Sequence, residues 1–326
     1  MRKRTGPQSE RGAATDLRLG GAWTTPQRLK NDLLWALATA ALGATRWLPL
    51  PVLRKLGAHL GSAAHAVLAP ARATARANVA RVFADRTEAE RRTLVRRCFV
   101  TLGEALGETV ALLRAEDRPA PIPIDAEARE VLRTLSAAKT RRGILFASAH
   151  LGSWELVAAS LVTAGVPLVA LGRKSYDPRL SWVYERIRRG AGIRVLWRDD
   201  RTAPLRVVGA LRSGAVVGIP MDLRSRVESR DVPFLGHSAP TPIGPARIAL
   251  KTRSAVVVGS VAPGCGGDRT ITVSPIDVSD LAPTEAGALE LTARINAEIS
   301  RRILALPHAW VWMHERWTAG AEIRWE

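Results

Sequence analysis

The run Gly143-Ile-Leu-Phe-Ala-Ser-Ala-His150-Leu-Gly-Ser-Trp-Glu155-Leu-Val-Ala-Ala-Ser-Leu161 decides how this chain folds. An apolar segment, Ile144 to Ala149, stops at a histidine, and a carboxylate follows five positions later where an Ala- and Leu-rich stretch begins. The pattern predicts a strand, a turn and a helix. On one continuous helix, five residues turn through roughly 500°, about 140° off the same face. His150 and Glu155 therefore meet only if the histidine lies in the turn and Glu155 on the first helical turn. Gly152 is permissive in backbone angle and Ser153 is a favoured N-cap. One reading makes the pair a base and its orienting acid; the other makes His150 a strand-end histidine with satisfied nitrogens.

Outward from this run, short apolar segments alternate with helical ones. Strands are expected at Ile144 to Ala149, Val166 to Leu171, Ile193 to Trp197, Ala215 to Ile219, Ala255 to Val261 and Thr270 to Val273. Helices are expected near 154–164, 178–189, 204–213 and 243–252, with a long one near 285–305. Such alternation means an α/β sheet covered on both faces.

The N-terminal third reads differently. Residues 1–28 are Arg, Gly, Thr and Gln rich without apolar period, which predicts a disordered basic tail. Leu33 to Thr45 carries no charge and is flanked by Trp35 and Trp47, yet thirteen residues rise only about 20 Å as a helix, short of the roughly 30 Å hydrocarbon core. An interfacial helix is the first expectation and a true span the second. Beyond Pro49 and Pro51, arginines interleave with Val79, Val82, Phe83, Leu94, Val95 and Phe99 up to Leu113, the pattern of helices with one apolar and one cationic face. Pro119, Pro121 and Pro123 mark a connector. The expected organisation is thus a tail at 1–28, a helical membrane-associated region at 29–118 and an α/β core at 119–326.

Composition narrows the function classes. A chain of 326 residues with 47% hydrophobic content can bury a substantial core. Two cysteines, Cys98 and Cys265, are too few for a disulfide framework. No zinc-like spacing of Cys and His exists, so no metal is expected. The formal charge of +18 attracts polyanions, whether nucleic acid, anionic phospholipid or phosphorylated substrates. The chain has no zinc-finger, basic-zipper or RNA-recognition signature, and only 5% of it is aromatic, so the charge reads better as a membrane footprint.

Four ordered blocks carry a family resemblance. His150-Leu-Gly-Ser-Trp-Glu155 resembles the His, four residues, Asp or Glu signature of glycerolipid-type acyltransferases. Leu171-Gly-Arg-Lys-Ser-Tyr-Asp-Pro178, then Gly218-Ile-Pro-Met-Asp222 leading into Asp231-Val-Pro-Phe-Leu-Gly236, and finally Trp310-Val-Trp-Met-His-Glu-Arg-Trp317 narrow the match. From about residue 30 onward the chain resembles the lipid A biosynthesis lauroyl and myristoyl acyltransferases, with the mycobacterial phosphatidylinositol mannoside acyltransferases as relatives. It departs from them at Gly172-Arg173-Lys174, at Pro220-Met221-Asp222, which keeps only the second acid of the family's pattern, and at Glu315, where an arginine is common. These departures bear on the acceptor lipid rather than on the reaction class. The resemblance implies a mixed-sheet, glycerolipid acyltransferase-like fold at the cytoplasmic face of a bacterial inner membrane. It also implies an acyl thioester as co-substrate, on acyl carrier protein first and CoA next, with no other cofactor.

Acyl transfer from a thioester to an alcohol needs a base, and a neutral imidazole is best matched to cytosolic pH. His150 takes that role, with Glu155 holding the distal ring N–H as the acid does in a serine protease triad. The acceptor's own hydroxyl is then the nucleophile; Ser148 and Ser153 are the alternatives for a covalent route. Backbone N–H groups at the start of the helix after His150, or Arg173, would stabilise the oxyanion. Arg173 resembles the family's motif arginine, against the reading of a strand-end arginine paired with a surface carboxylate. Asp222 either orients Arg173 or the acceptor, or serves as a turn or N-cap aspartate. Lys174, Arg224, Arg226 and Arg230 form a candidate phosphate-binding group. Asp231 resembles an acidic position of the mannoside branch, while His314 and Trp317 read as structural. The rival class is a non-catalytic membrane or nucleic-acid-binding protein on a degenerate scaffold, and the presence of both His150 and Glu155 argues against it.

Overall fold

A computed structural model describes residues 22–45, 47–113, 120–137, 142–175, 177–225, 227–264 and 268–317. Four helices come first: α1 (Thr25–Thr45), α2 (Leu50–Val67), α3 (Ala69–Val82) and α4 (Glu88–Ala111). After a connector come α5 (Ala126–Ala137), β1 (Ile144–Ser148), α6 (Trp154–Thr163), β2 (Leu168–Gly172), α7 (Pro178–Gly190), β3 (Arg194–Trp197), α8 (Ala203–Arg212) and β4 (Val216–Pro220). The chain continues through β5 (Ser229–Phe234), β6 (His237–Pro242), α9 (Gly244–Thr252), β7 (Ala255–Pro263), β8 (Arg269–Ile276) and α10 (Glu285–Ala305). A short 3₁₀ turn, Pro307–Ala309, precedes the terminal block.

Every strand and core helix expected from the apolar runs is present. The main sheet has the order β3-β2-β4-β1-β7-β8, parallel throughout except for β8, which runs antiparallel to β7. Burial on both faces explains the unbroken apolar runs. Ile144 and Phe146 pack with Leu156, Leu161 and Val257 on one face, while Leu145 and Ala147 join Val217, Leu291 and Ile295 on the other. The chain leaves β1 for one side of the sheet and later returns to the other, so a crevice opens at the carboxyl ends of β1 and β4.

Two features differ from expectation. The hairpin β5–β6 was hidden by Pro233, Pro240 and Pro242, residues that argue against strands. Its two-residue turn is Leu235-Gly236, with φ of 50° and 79°, and Leu235 sits in a conformation that turn signals assign to Asn or Asp. The Leu235 N–H is anchored by the Ser300 hydroxyl at 2.9 Å, which holds this unusual turn. The second difference is at the start of the chain. Residues 1–21 of the expected tail lie outside the described residues, and α1 begins at Thr25, inside the stretch expected to lack structure. Among the described residues no helix is long and apolar enough to cross a membrane.

The helices α2 and α4 cross at backbone contact. A Cβ built on Gly57 or on Gly103 would fall inside van der Waals distance of the other's carbonyl oxygen, and Gly61 and Gly107 face the Phe99 and Leu53 carbonyls in the same way. Gly103→Ala is therefore expected to lower stability by about 2 kcal/mol through overpacking. Gly43→Ala, on α1 where nothing lies within 4 Å, should be neutral or slightly stabilising through helix propensity. Urea unfolding of the two variants checks this contrast, and equal midpoints would refute it.

Candidate active site

His150 lies two residues beyond the end of β1, and Asp222 two residues beyond the end of β4. Because Ser148 and Pro220 are register partners in these adjacent parallel strands, the two side chains emerge side by side. His150 Nδ1 stands 2.9 Å from Asp222 Oδ1, and the His150 backbone N–H donates to Asp222 Oδ2 at 2.8 Å. Trp310 Nε1–H donates to the same Oδ2 at 2.8 Å. Asp222 is fully buried, whereas the His150 side chain is 26% exposed. A carboxylate at Nδ1 holds a proton there and leaves the Nε2 lone pair for chemistry.

Electrostatics match this geometry. Burial disfavours the imidazolium, but the charge and hydrogen bond of Asp222, helped by the charge of Glu155, outweigh it and raise the His150 pKa above the ordinary histidine value. Burial likewise opposes ionisation of Asp222, and it is overcome by His150 and by the donors Trp310 and the His150 backbone, which hold the carboxyl below the usual aspartate range. The pair is a buried acid and a base at the rim of a cleft, with the tautomer fixed from behind.

The spacing in the sequence points to Glu155 as the partner of His150; the structure puts Asp222 there instead. Glu155, the second residue of α6, is buried and accepts a fork of hydrogen bonds from Arg188 of α7, Nε to Oε2 at 3.0 Å and Nη2 to Oε1. Gly152 (φ 61°) turns the chain between them, and the Trp154 ring packs edge-on against the imidazole at 5.1 Å. The helix therefore starts with Glu155 turned toward α7. It acts on His150 through space as a charge rather than through a bond.

Glu155 and Arg188 line one wall of an otherwise apolar pocket between α6 and the sheet. Its lining also includes Phe146, Leu161, Leu168, Ala170, Gly218 and Gly259. Its free volume is about 70 Å³, so as it stands it is a narrow slot opening at its mouth. Ser148, the last residue of β1, also lines it.

The turn that carries His150 is fastened from both sides. The Gly152 N–H donates to the Ala309 carbonyl at 2.9 Å, and Leu151 bridges Trp310. Ser153 stands at the N-cap position of α6, but its hydroxyl donates to Glu108 of α4 instead of accepting a cap bond. Glu108 is buried and also accepts from Arg269 of β8 at 2.7 and 3.0 Å and from Arg54 of α2 at 2.6 Å. Burial opposes its ionisation, yet Arg269 and Ser153 more than compensate and lower its pKa.

The remaining candidates separate by position. Arg173 and Lys174 are exposed just past β2, on the same sheet edge as His150, and the Lys174 backbone N–H donates to Asp199 at 2.8 Å. Arg224 is exposed two residues beyond Asp222, whereas Arg230 pairs with Glu228 and Glu285 at 3.2 Å each. Arg226 lies outside the described residues. Asp231 is exposed on β5, away from the His150–Asp222 pair along the chain. The terminal block expected to be structural packs Trp310, Trp312 and Trp317 together, and the buried Asn78 amide of α3 pins the Trp312 and His314 carbonyls at 2.8 Å. Of its members, Trp310 reaches the site directly.

A family profile described as bacterial lipid A biosynthesis acyltransferase matches residues 26–319. The chain belongs to this family. It is therefore an acyltransferase, and its similarity to named members covers most of its length. It is 27% identical over 297 residues to the lipid A biosynthesis lauroyltransferase of Escherichia coli strain K12, covering 89% of this chain and 92% of that protein. With the lipid A biosynthesis palmitoleoyltransferase of the same organism it shares 25% over 283 residues, covering 82% and 86%. A lipid A biosynthesis acyltransferase of Shigella flexneri matches equally, at 25% over 283 residues.

Proposed function

We propose that this lipid A family acyltransferase moves a fatty acyl chain from a thioester, carried on acyl carrier protein, to a hydroxyl of a lipid A precursor at the cytoplasmic face of the inner membrane. The observation that carries the reading is the His150–Asp222–Trp310 chain at the carboxyl ends of the central strands, opening beside an apolar pocket. His150 Nε2 takes the proton of the acceptor hydroxyl as its oxygen attacks the thioester carbonyl carbon. Asp222 fixes the tautomer and stabilises the imidazolium. Collapse of the tetrahedral state breaks the C–S bond, and the departing thiolate takes the proton back from His150, leaving an ester and a thiol.

Arg173, on the same edge, supplies positive charge to the developing oxyanion or to a phosphate of the acceptor, with Lys174 beside it. The apolar pocket takes the acyl chain, with the thioester carbonyl at its mouth. The relatives named for lauroyl and palmitoleoyl transfer support a medium to long chain. The helices before the core lie on the membrane surface, because α1, α2 and the loop between them present Leu33, Leu37, Trp47, Leu56 and Leu60 to solvent, with the exposed arginines Arg76, Arg92, Arg96 and Arg97 on the helices that follow.

The test is transfer by the purified protein from a series of acyl-acyl carrier protein and acyl-CoA donors to a lipid A precursor, read by mass spectrometry. One added acyl mass is expected, with the carrier-protein thioester preferred, and lipid A from a host lacking the gene should miss the same chain. Acylation confined to phospholipid acceptors would reject the assignment.

A further inference from the structure

The helix α1 is apolar on its outer side and mixed on its inner side. Its outer stripe is apolar, with Leu29, Leu33 and Leu37 between 59% and 72% exposed. Its inner side, Gln27, Lys30, Asn31, Leu34, Trp35 and Ala38, with Trp23 just before the helix, faces the α/β core across an open groove of about 500 Å³. The opposite wall is Ser175, Asp177 and Leu180, in the segment that follows Arg173 and Lys174. Arg179 tethers α1 there: it pairs with Asp32 at 2.7 Å and with Asp177 at 2.8 Å, and its guanidinium sits 5.3 and 5.4 Å from the Trp23 and Trp35 rings.

An apolar stripe turned outward suits lipid, and the inner wall then needs a polar occupant with apolar faces. Two tryptophans supply flat surfaces for the C–H face of a pyranose, while the Asn31 amide and the Ser175 hydroxyl match sugar hydroxyls and acylamino groups in both donor and acceptor sense, and Gln27, whose Oε1 accepts from Thr24, adds a donor. We propose that the groove between α1 and the start of α7 is a subsite for the sugar headgroup of the acceptor glycolipid, held at the membrane surface while its reactive hydroxyl reaches His150. This deepens the acceptor reading above and rests on it. Ser175 and Asp177 of the groove follow Arg173 by two and four residues just past the end of β2, and β2 pairs with β4, which carries Asp222 beyond its end.

The test uses the full chain in detergent micelles, with Asn31→Ala, Trp35→Ala and Trp35→Phe, and Leu33→Ser for the outer face. For Asn31→Ala and Trp35→Ala the KM for the lipid A precursor should rise by about tenfold or more, the loss of one well-placed contact. Their kcat and their KM for the acyl donor should not change, and Trp35→Phe should recover much of the affinity. A soluble phosphorylated glucosamine disaccharide without acyl chains should compete with the acceptor in the wild type and not in Asn31→Ala. Leu33→Ser should weaken binding to phosphatidylglycerol vesicles while leaving disaccharide competition intact.

Unaltered acceptor KM in both inner-face variants would overturn the subsite. So would loss of vesicle binding by Asn31→Ala in step with its KM, which would make α1 only an anchor. A wild type that hydrolyses thioesters but acylates no glycolipid would instead overturn the functional reading, whatever the inner-face variants do.

Discussion

His150→Ala is expected to lower acyl transfer by about 10²–10⁴-fold, the usual contribution of a positioned general base, while far-ultraviolet circular dichroism and the unfolding midpoint stay close to wild type. The side chain sits partly exposed at the rim of the cleft rather than in the core, so truncation leaves no large cavity. Rate as a function of pH gives a second reading of the same residue. Its pKa is raised in the folded protein, and the base form is the neutral one, so kcat/KM should climb with pH through a limb above the ordinary histidine value of about 6.5. The linked stability has the opposite slope: the histidine's contribution is complete below about pH 6.5 and is lost as pH rises through the folded-state pKa. A folded alanine variant with near wild-type turnover would end the base assignment.

Asp222→Asn is expected to cost at least about 10²-fold in kcat, because the amide can donate to Nδ1 and so favour the tautomer with the proton on Nε2, which cannot accept one from an alcohol; the same change in serine protease triads costs about 10⁴-fold. The pH limb should also move down, since the charge that offsets burial of the imidazolium is gone. Glu155→Gln should behave differently. It leaves Arg188 buried without its carboxylate, a change that costs about 3–5 kcal/mol when a buried pair loses one member, so its first sign should be a lower unfolding midpoint and a rise in donor KM as the pocket wall loosens. Because Glu155 also raises the His150 pKa through space, its limb should shift in the same direction as that of Asp222→Asn but by less. If Glu155→Gln carried the larger kcat loss and the larger pH shift at normal stability, the acid would have to be reassigned to Glu155.

The contrast between these two carboxylates marks where the sequence stops being legible. Spacing within one run predicts the strand, the turn at His150 and the helix, and all three are present. What spacing cannot contain is which strands are neighbours. Asp222 becomes the partner because β1 and β4 pair directly with Ser148 opposite Pro220, a relation between residues 72 apart. Had that adjacency been known, the signal was there: each strand is followed, two residues on, by a polar group. Trp310 and Glu108 were illegible for the same reason, since their roles depend on the chain's last and first packed segments meeting at one turn. Arg188 reads from sequence as one arginine among several on a basic helix; only burial against Glu155 distinguishes it. The hairpin at Ser229–Phe234 and His237–Pro242 was missed on chemistry rather than distance, because its prolines lie in a two-stranded ribbon where few ladder donors are required.

The fastening of the turn that carries His150 has a bearing on when the site is completed during synthesis. His150, Asp222 and the whole sheet leave the ribosome before Ala309 and Trp310, yet it is these late residues that clamp Gly152 and hold Asp222 in place. A nascent chain with every strand already made lacks the Trp310 donor to Asp222 and the Ala309 acceptor for Gly152. The set of contacts around His150 is thereby completed only after translation has passed the terminal block.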